Sequence, residues 1–153
     1  MSQDGPSIDL ETSVGDLLKE ASSALRASME AELRPLGMTV THYSCLELLA
    51  QRPGLSNSEL ARGAFVTRQS MNVLLQALER DGLVARADRA PSGRALPTEL
   101  TGAGRRQLAA ASAAIRGVED RMTAGLTATT RRQLVEALRG CVTALRPPGR
   151  AED

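Results

Sequence analysis

The chain has 153 residues, the length of one domain, and a net charge of +1. Tyr43 and Phe65 are its only aromatic residues, so Leu, Ala, Val and Met must build the core, which favours helices. It begins without an apolar secretion signal, and no stretch approaches the roughly 20 apolar residues of a membrane span. We therefore expect a single cytoplasmic domain, residues 1–153, that makes no membrane contact.

The composition disfavours catalysis and metal binding. The chain has one His, and its two cysteines, Cys45 and Cys141, lack C-x-x-C spacing and a neighbouring His cluster. It also lacks a glycine-rich phosphate loop and a G-x-S-x-G motif. We expect no enzymatic activity, no metal ion and no cofactor.

Positive charge is concentrated in the middle of the chain. Residues 62–106 carry eight Arg and four acidic side chains, whereas residues 1–61 carry four basic and nine acidic ones. A polyanionic partner explains such a basic segment, and a solvated helix face explains it equally well.

The N-terminal third predicts two helices. Apolar residues recur every three or four positions from Ile8 to about Arg34, and Pro35 and Gly37 then end the first helix. A second helix starts at the N-cap Thr39 and reaches about residue 51, where Pro and Gly break the chain.

Two further helices follow, a short one and a longer one. Ser56 and Glu59 form a capping box that opens a short helix over 57–63. After a turn, Thr67 caps a longer helix over 68–81, and Gly82 occupies the position where a left-handed residue ends a helix.

The remaining sequence predicts a hairpin and two long helices. Short strands are expected over 83–87 and 95–100, joined by a Pro/Ser/Gly turn, with Pro97 making the second an edge strand. Thr101 caps a helix to about Gly125, and a last helix runs from near Thr129 to Leu145.

The order short helix, turn, longer helix, hairpin is that of a winged helix-turn-helix. The outward face of the longer helix is polar and free of acidic residues until Glu79. Arg, Gln and Asn can bond base edges, Val can touch a thymine methyl, and the major groove admits one helix. A solvated amphipathic helix is the alternative, which the capping box and hairpin disfavour. The candidate recognition residues are Thr67, Arg68, Gln69, Ser70, Asn72, Val73 and Gln76.

The hairpin is the second candidate DNA contact. Arg86, Arg89 and Arg94 lie on or beside its turn, and Asp88 is the only acidic residue there. An Arg on a narrow protrusion can enter the minor groove, whose negative potential attracts guanidinium groups. A turn rich in Arg for solubility is the alternative.

These segments resemble the MarR family of bacterial regulators. The resemblance spans about residues 8–146. It is strongest where the wing Arg94 is followed seven residues later by Thr101 and then by Gly102. The matching segments are 60–61, 82–84, 93–94 and 100–104. It implies a mainly α fold with a small β-hairpin wing: a winged helix-turn-helix lobe at 39–100 and dimerisation helices at 8–35 and 101–146. It also implies a homodimer that binds an inverted repeat in double-stranded DNA, usually as a repressor.

The chain departs from the family pattern at two positions. The family often has Asp two residues before the wing Arg, and Ser92 stands there instead. The usual turn Gly between the two helices is replaced by Phe65, which we expect to be buried in the helix-turn-helix core.

Family resemblance further implies release by a small anionic or phenolic effector, bound between the dimer helices and the winged lobe. His42 and Tyr43 are the candidate cleft residues, although a partly buried His that caps local structure is the simpler interpretation. A thiol redox sensor acting through Cys45 is an alternative, but both cysteines fall on apolar stripes, which suits inert buried thiols.

A winged-helix module that binds proteins without specific DNA binding is the main competing hypothesis. Salt distinguishes the two, because DNA affinity falls steeply as each neutralised phosphate releases counterions.

Overall fold

The structure, a computed structural model, describes residues 7–86 and 97–147. The chain forms two compact units, one up to Val118 and one from Glu119 onward. Within the described ranges the elements are α1 (Val14–Leu33), a 3-10 turn (Arg34–Leu36), α2 (Val40–Gln51), α3 (Asn57–Gly63), α4 (Arg68–Arg80), β1 (Val84–Arg86), β2 (Thr98–Leu100), α5 (Gly102–Thr123) and α6 (Ala128–Leu145). The predicted order of helices and strands is confirmed.

Side-chain caps fix most helix starts. Thr39, Ser56 and Thr67 each accept a hydrogen bond from the backbone N–H three residues on, as the sequence predicts. The first helix is shorter than predicted. Ser13 accepts from the Asp16 N–H at 3.3 Å, so α1 begins at Val14 and not at Ile8.

The core of the first unit lies where α1, α2, α3 and α4 meet. Its fully buried side chains are Leu33, Cys45, Leu46, Leu60, Met71 and Leu78. Antiparallel pairing of β1 and β2 places Val84 opposite Leu100, and both are buried against this core. The small sheet is therefore anchored at its base to the helices.

Three helical segments end with the same hydrogen-bond pattern, in which a residue with left-handed backbone is followed by one whose N–H reaches five residues back. Gly37 and Gly82 are the left-handed residues at two of these ends, with φ of 68° and 73°. Phe65 is the third, with φ of 58°.

Phe65 is not buried, contrary to expectation. Its side chain is 95 % exposed. Val66, the next residue, packs against the core and donates its N–H to the Ala61 carbonyl at 3.0 Å. The apolar contact that usually completes this helix end is thus made by Val66, and the left-handed backbone directs Phe65 outward.

The start of α5 packs tightly on the turn after α4. The Thr101 hydroxyl donates to the Gly82 carbonyl at 2.6 Å and accepts from the Gly104 N–H at 3.0 Å. A Cβ added at Gly104 would lie 2.0 Å from the Leu83 carbonyl oxygen. Only glycine permits this approach.

The terminal helices carry apolar side chains that remain exposed. Every residue of α6 is exposed, including Cys141, for which burial had been expected. Its exposed large apolar residues are Leu134, Val135, Leu138, Val142 and Leu145, and those of the N-terminal region are Ile8, Leu10, Val14, Leu17 and Leu18. No helix in the described ranges is long and apolar enough to cross a membrane.

Candidate nucleic-acid interface

Helix α4 presents one apolar and one polar face. Met71, Leu75 and Leu78 are buried, so the helix is held by its inner side. The residues on the outer side are all exposed, as predicted: Thr67, Arg68, Gln69, Ser70, Asn72, Val73 and Gln76. Val73 is 62 % exposed, which leaves it free to contact a thymine methyl.

The start of α4 is preorganised by its cap. The Thr67 oxygen accepts from the Ser70 N–H at 3.0 Å, and the Thr67 hydroxyl lies 2.9 Å from the Ser70 oxygen. No acidic residue occupies the first turn. The helix dipole is therefore not neutralised there, and this end favours an anion such as a phosphate.

The outer face of α4 carries a charged side chain and amide side chains that can form hydrogen bonds with a partner. Within the described residues, Arg68 forms no ion pair, and neither Gln69 nor Gln76 forms a side-chain hydrogen bond. Asn72 differs, because its carbonyl accepts from the Asn57 amide at 2.6 Å. That contact orients Asn72 and leaves its own amide group as a donor.

A groove of about 290 Å³ separates the polar face of α4 from the base of the hairpin. Asn72, Gln76 and Glu79 line it on the helix side, and Arg86 lines it on β1. Arg86 therefore lies on the same surface as the candidate recognition residues Asn72 and Gln76. Arg89 and Arg94, the other predicted wing residues, lie outside the described residues.

His42 occupies the third position of α2 and closes its N-terminus. Its Nδ1 accepts from the Thr39 N–H at 3.2 Å, while the Thr39 oxygen accepts from the His42 N–H at 3.1 Å. Burial lowers the pKa of His42, and the charge of Asp81 opposes that shift. With Nδ1 accepting, the neutral ring carries its proton on Nε2.

The two predicted effector residues are placed differently. His42 lines a cavity of about 240 Å³ whose other walls include Met38, Asp81 and Gln107. Tyr43 is half-buried and packs against the core, outside that cavity.

Cys45 is a core residue. Its thiol is fully buried and lies 3.8 Å from the Met71 sulfur. Burial raises the pKa of the Cys45 thiol to about 12, so the reactive thiolate is scarce at neutral pH. This environment disfavours the redox-sensor alternative.

Two residues of this surface have roles that the sequence does not predict: Asn57 and Phe65. Asn57 was assigned only to the start of a short helix, yet it holds Asn72 across a separation of 15 residues. Phe65 was expected inside the core. Phe65 stands where the family usually has glycine, and this position predicts a left-handed backbone. A left-handed residue after a helix directs its side chain away from the helix end, so the exposure of Phe65 could have been predicted.

Comparison with known proteins agrees with this geometry. The family model described as MarR family matches residues 36–95. The transcriptional repressor Rv2887 of Mycobacterium tuberculosis is 44 % identical over 125 residues, which cover 82 % of this chain and 90 % of the relative.

Solved structures of the same relative also match. Rv2887 in complex with salicylic acid has a TM-score of 0.71 at 40 % identity and covers 92 % of this chain and 99 % of its own. Rv2887 in complex with DNA has a TM-score of 0.71 at 38 % identity and covers 85 % and 98 %. The family-model match and the identity to Rv2887 over most of both chains show that the chain belongs to the MarR family of transcriptional regulators.

Proposed function

We propose that this protein is a sequence-specific transcriptional repressor that binds an inverted-repeat operator as a homodimer. The observation that carries the proposal is the outer face of α4, where Arg, Gln and Asn side chains stand exposed on a helix with no acid in its first turn. Such a face matches the donor and acceptor pattern of the major groove. The DNA complex of the relative Rv2887 supports the same assignment.

Each predicted contact has a distinct task. Gln69 and Asn72 read base edges, with Asn72 held in place by Asn57. Thr67, Ser70 and Arg68 contact phosphates at the start of α4. Arg86, Arg89 and Arg94 follow the backbone or enter the minor groove beside the wing.

The exposed apolar faces support the homodimer. Apolar residues recur at three- and four-residue spacing on α6 and are exposed in the part of the chain that the structure describes: Leu134, Leu138 and Val142. A second copy would bury them and set two recognition helices about one DNA turn apart.

The test is a titration of a labelled duplex from the DNA flanking the gene, at two salt concentrations, against a scrambled duplex. We expect tight, salt-sensitive binding to the native duplex with two subunits per site. Arg94→Ala should weaken binding to all sequences, whereas Gln69→Ala should relax base preference by about 1–3 kcal/mol. Absence of binding to either duplex at low salt would favour the protein-interaction module instead.

We further propose that a small phenolic acid or phenol releases the repressor from DNA by binding in the cavity beside His42. The neutral imidazole offers Nε2–H to a phenolic or carboxylate oxygen, and Asp81 in the same cavity can accept a hydrogen bond from a phenolic hydroxyl. The salicylic acid complex of Rv2887 supports this chemical class.

Effector release is tested by adding salicylate, phenol or benzoate to the preformed complex with DNA. His42→Ala should lose sensitivity to the compound while retaining its DNA affinity in the compound's absence. The matched control is Arg105→Ala, which alters a separate cavity of about 520 Å³. Loss of sensitivity in Arg105→Ala alone would move the site to that larger cavity.

A further inference from the structure

Phe65 combines two unfavourable features in the free protein. Its backbone is left-handed, with φ of 58°, although it has a bulky side chain. Its ring is 95 % exposed and contributes nothing to the core. Neither feature stabilises the folded chain. The presence of Phe at this position is therefore better explained by a contact that the folded protein makes with another molecule.

Two other helical segments of the chain end in the same backbone conformation, and both have glycine at the left-handed position. Gly37 and Gly82 occupy the equivalent position at the ends of the 3-10 turn and of α4, with the same two backbone hydrogen bonds. Glycine adopts this conformation without steric cost. At the end of α3, Val66 and Ala61 complete the motif, so a glycine at position 65 would satisfy every contact that the structure shows there.

The surroundings of Phe65 favour a nucleic acid as its partner. Val66 is anchored in the core, and Thr67, which caps the recognition helix, is only two residues away, within about 7 Å along the chain. Arg62 and Arg68 flank Phe65 in sequence, and both are exposed. An exposed aromatic ring with an exposed Arg three positions to either side in the sequence suits a polyanion that also carries apolar groups.

We propose that Phe65 contacts the DNA duplex beside the start of α4, packing its ring on a thymine methyl or on a deoxyribose of the backbone. This inference rests on the proposed DNA-binding function and adds an apolar contact to its polar ones. Phe is among the side chains that can make apolar contact with the thymine methyl in the major groove. Because the contact neutralises no phosphate, it adds affinity that salt does not diminish.

The decisive variant is Phe65→Gly, which should fold at least as well as the wild type because glycine is preferred at this helix end. We expect an unchanged or higher melting temperature and about tenfold weaker operator binding. The slope of log affinity against log salt should stay the same, whereas Arg68→Ala, the control, should lower it. Phe65→Tyr should retain most of the affinity.

Replacing the thymines of the operator by deoxyuridine removes the thymine methyl groups and leaves every deoxyribose in place. The substitution therefore shows which of these two groups the Phe65 ring contacts. If the affinity of the wild type falls more than that of Phe65→Gly, which retains the Val73 contact, the partner of the ring is a thymine methyl. If the two affinities fall equally or not at all, the partner is a deoxyribose.

Unchanged operator affinity in Phe65→Gly would overturn the inference while leaving the repressor assignment intact. A shift of Phe65→Gly toward monomers would also overturn it, because the ring would then belong to a subunit interface. If wild-type protein binds no DNA, the proposed function fails first and this inference fails with it.

Discussion

His42 closes the N-terminus of α2 with an acceptor that exists only while the ring is neutral. Its Nδ1 lone pair binds the Thr39 N–H, and protonation would convert that acceptor into a donor. Burial lowers the pKa of His42 below its ordinary 6.5, so the folded state favours the neutral form. The stabilisation is therefore present above about pH 6.5 and is lost as the pH falls through the lower folded pKa.

We expect His42→Gln to flatten this pH dependence. Glutamine at the third helical position can complete the same capping box but does not titrate in this range. The melting temperature of the wild type should fall more between pH 7.5 and pH 5 than that of the variant, as measured by circular dichroism. Parallel pH profiles for the two proteins would contradict the role assigned to the imidazole.

Helix α4, the start of β1 and helix α5 meet closely at the turn around Gly82. Thr101 bonds the carbonyl of Gly82 on one side and caps α5 on the other. Gly104 admits the Leu83 carbonyl at a distance that no side chain allows. The Thr101 hydroxyl and the close contact at Gly104 thus hold the end of α4, the start of β1 and the start of α5 together.

Gly104→Ala should destabilise the protein, because its Cβ would overlap the Leu83 oxygen and force backbone movement costing about 1–3 kcal/mol. The matched control is Gly117→Ala in the same helix, where an added Cβ meets no atom within 4 Å. That change should raise stability by up to about 1 kcal/mol through helix propensity. Chemical denaturation measures both, and equal effects would show that the close approach is not essential.

The helix order, the caps and the exposed polar face of α4 are predictable from the sequence, because each has a local signature: an apolar repeat, a Ser or Thr before it, and a glycine after it. The start of α1 was missed because apolar residues at 8 and 10 continue the repeat beyond the Ser13 cap. Phe65 was placed inside because an aromatic residue suggests burial, whereas the left-handed helix end decides its direction. The Asn57–Asn72 contact joins two helices and has no local signature.

On the scale of the whole molecule, α6 carries an apolar face that is exposed within the described residues. The exposed apolar residues of α6 recur at helical spacing, and an 18-residue helix with no buried residue has little to stabilise it in water. A second subunit supplies the missing cover in the proposed homodimer.

Leu138→Asp should therefore produce monomers and abolish operator binding, because it places a charge in the centre of this face. Glu136→Gln, on the opposite side of the same helix, should leave both the assembly and DNA binding unchanged. Analytical ultracentrifugation reports the mass of each variant. A Leu138→Asp protein that remains dimeric would show that the subunits meet through other helices.

The hydrogen bonds of Thr101 also connect the first part of α5 to the end of α4. Since the turn held by Thr101 directly continues α4, we expect a rotation of α5 at this turn to be transmitted to α4. Helix α4 has 13 residues and is about 20 Å long, so a rotation of about 5° would move its DNA-facing start by nearly 2 Å. A displacement of that size exceeds the tolerance of a bidentate hydrogen bond, so in the proposed complex with DNA a slight tilt of this helix would break a base contact.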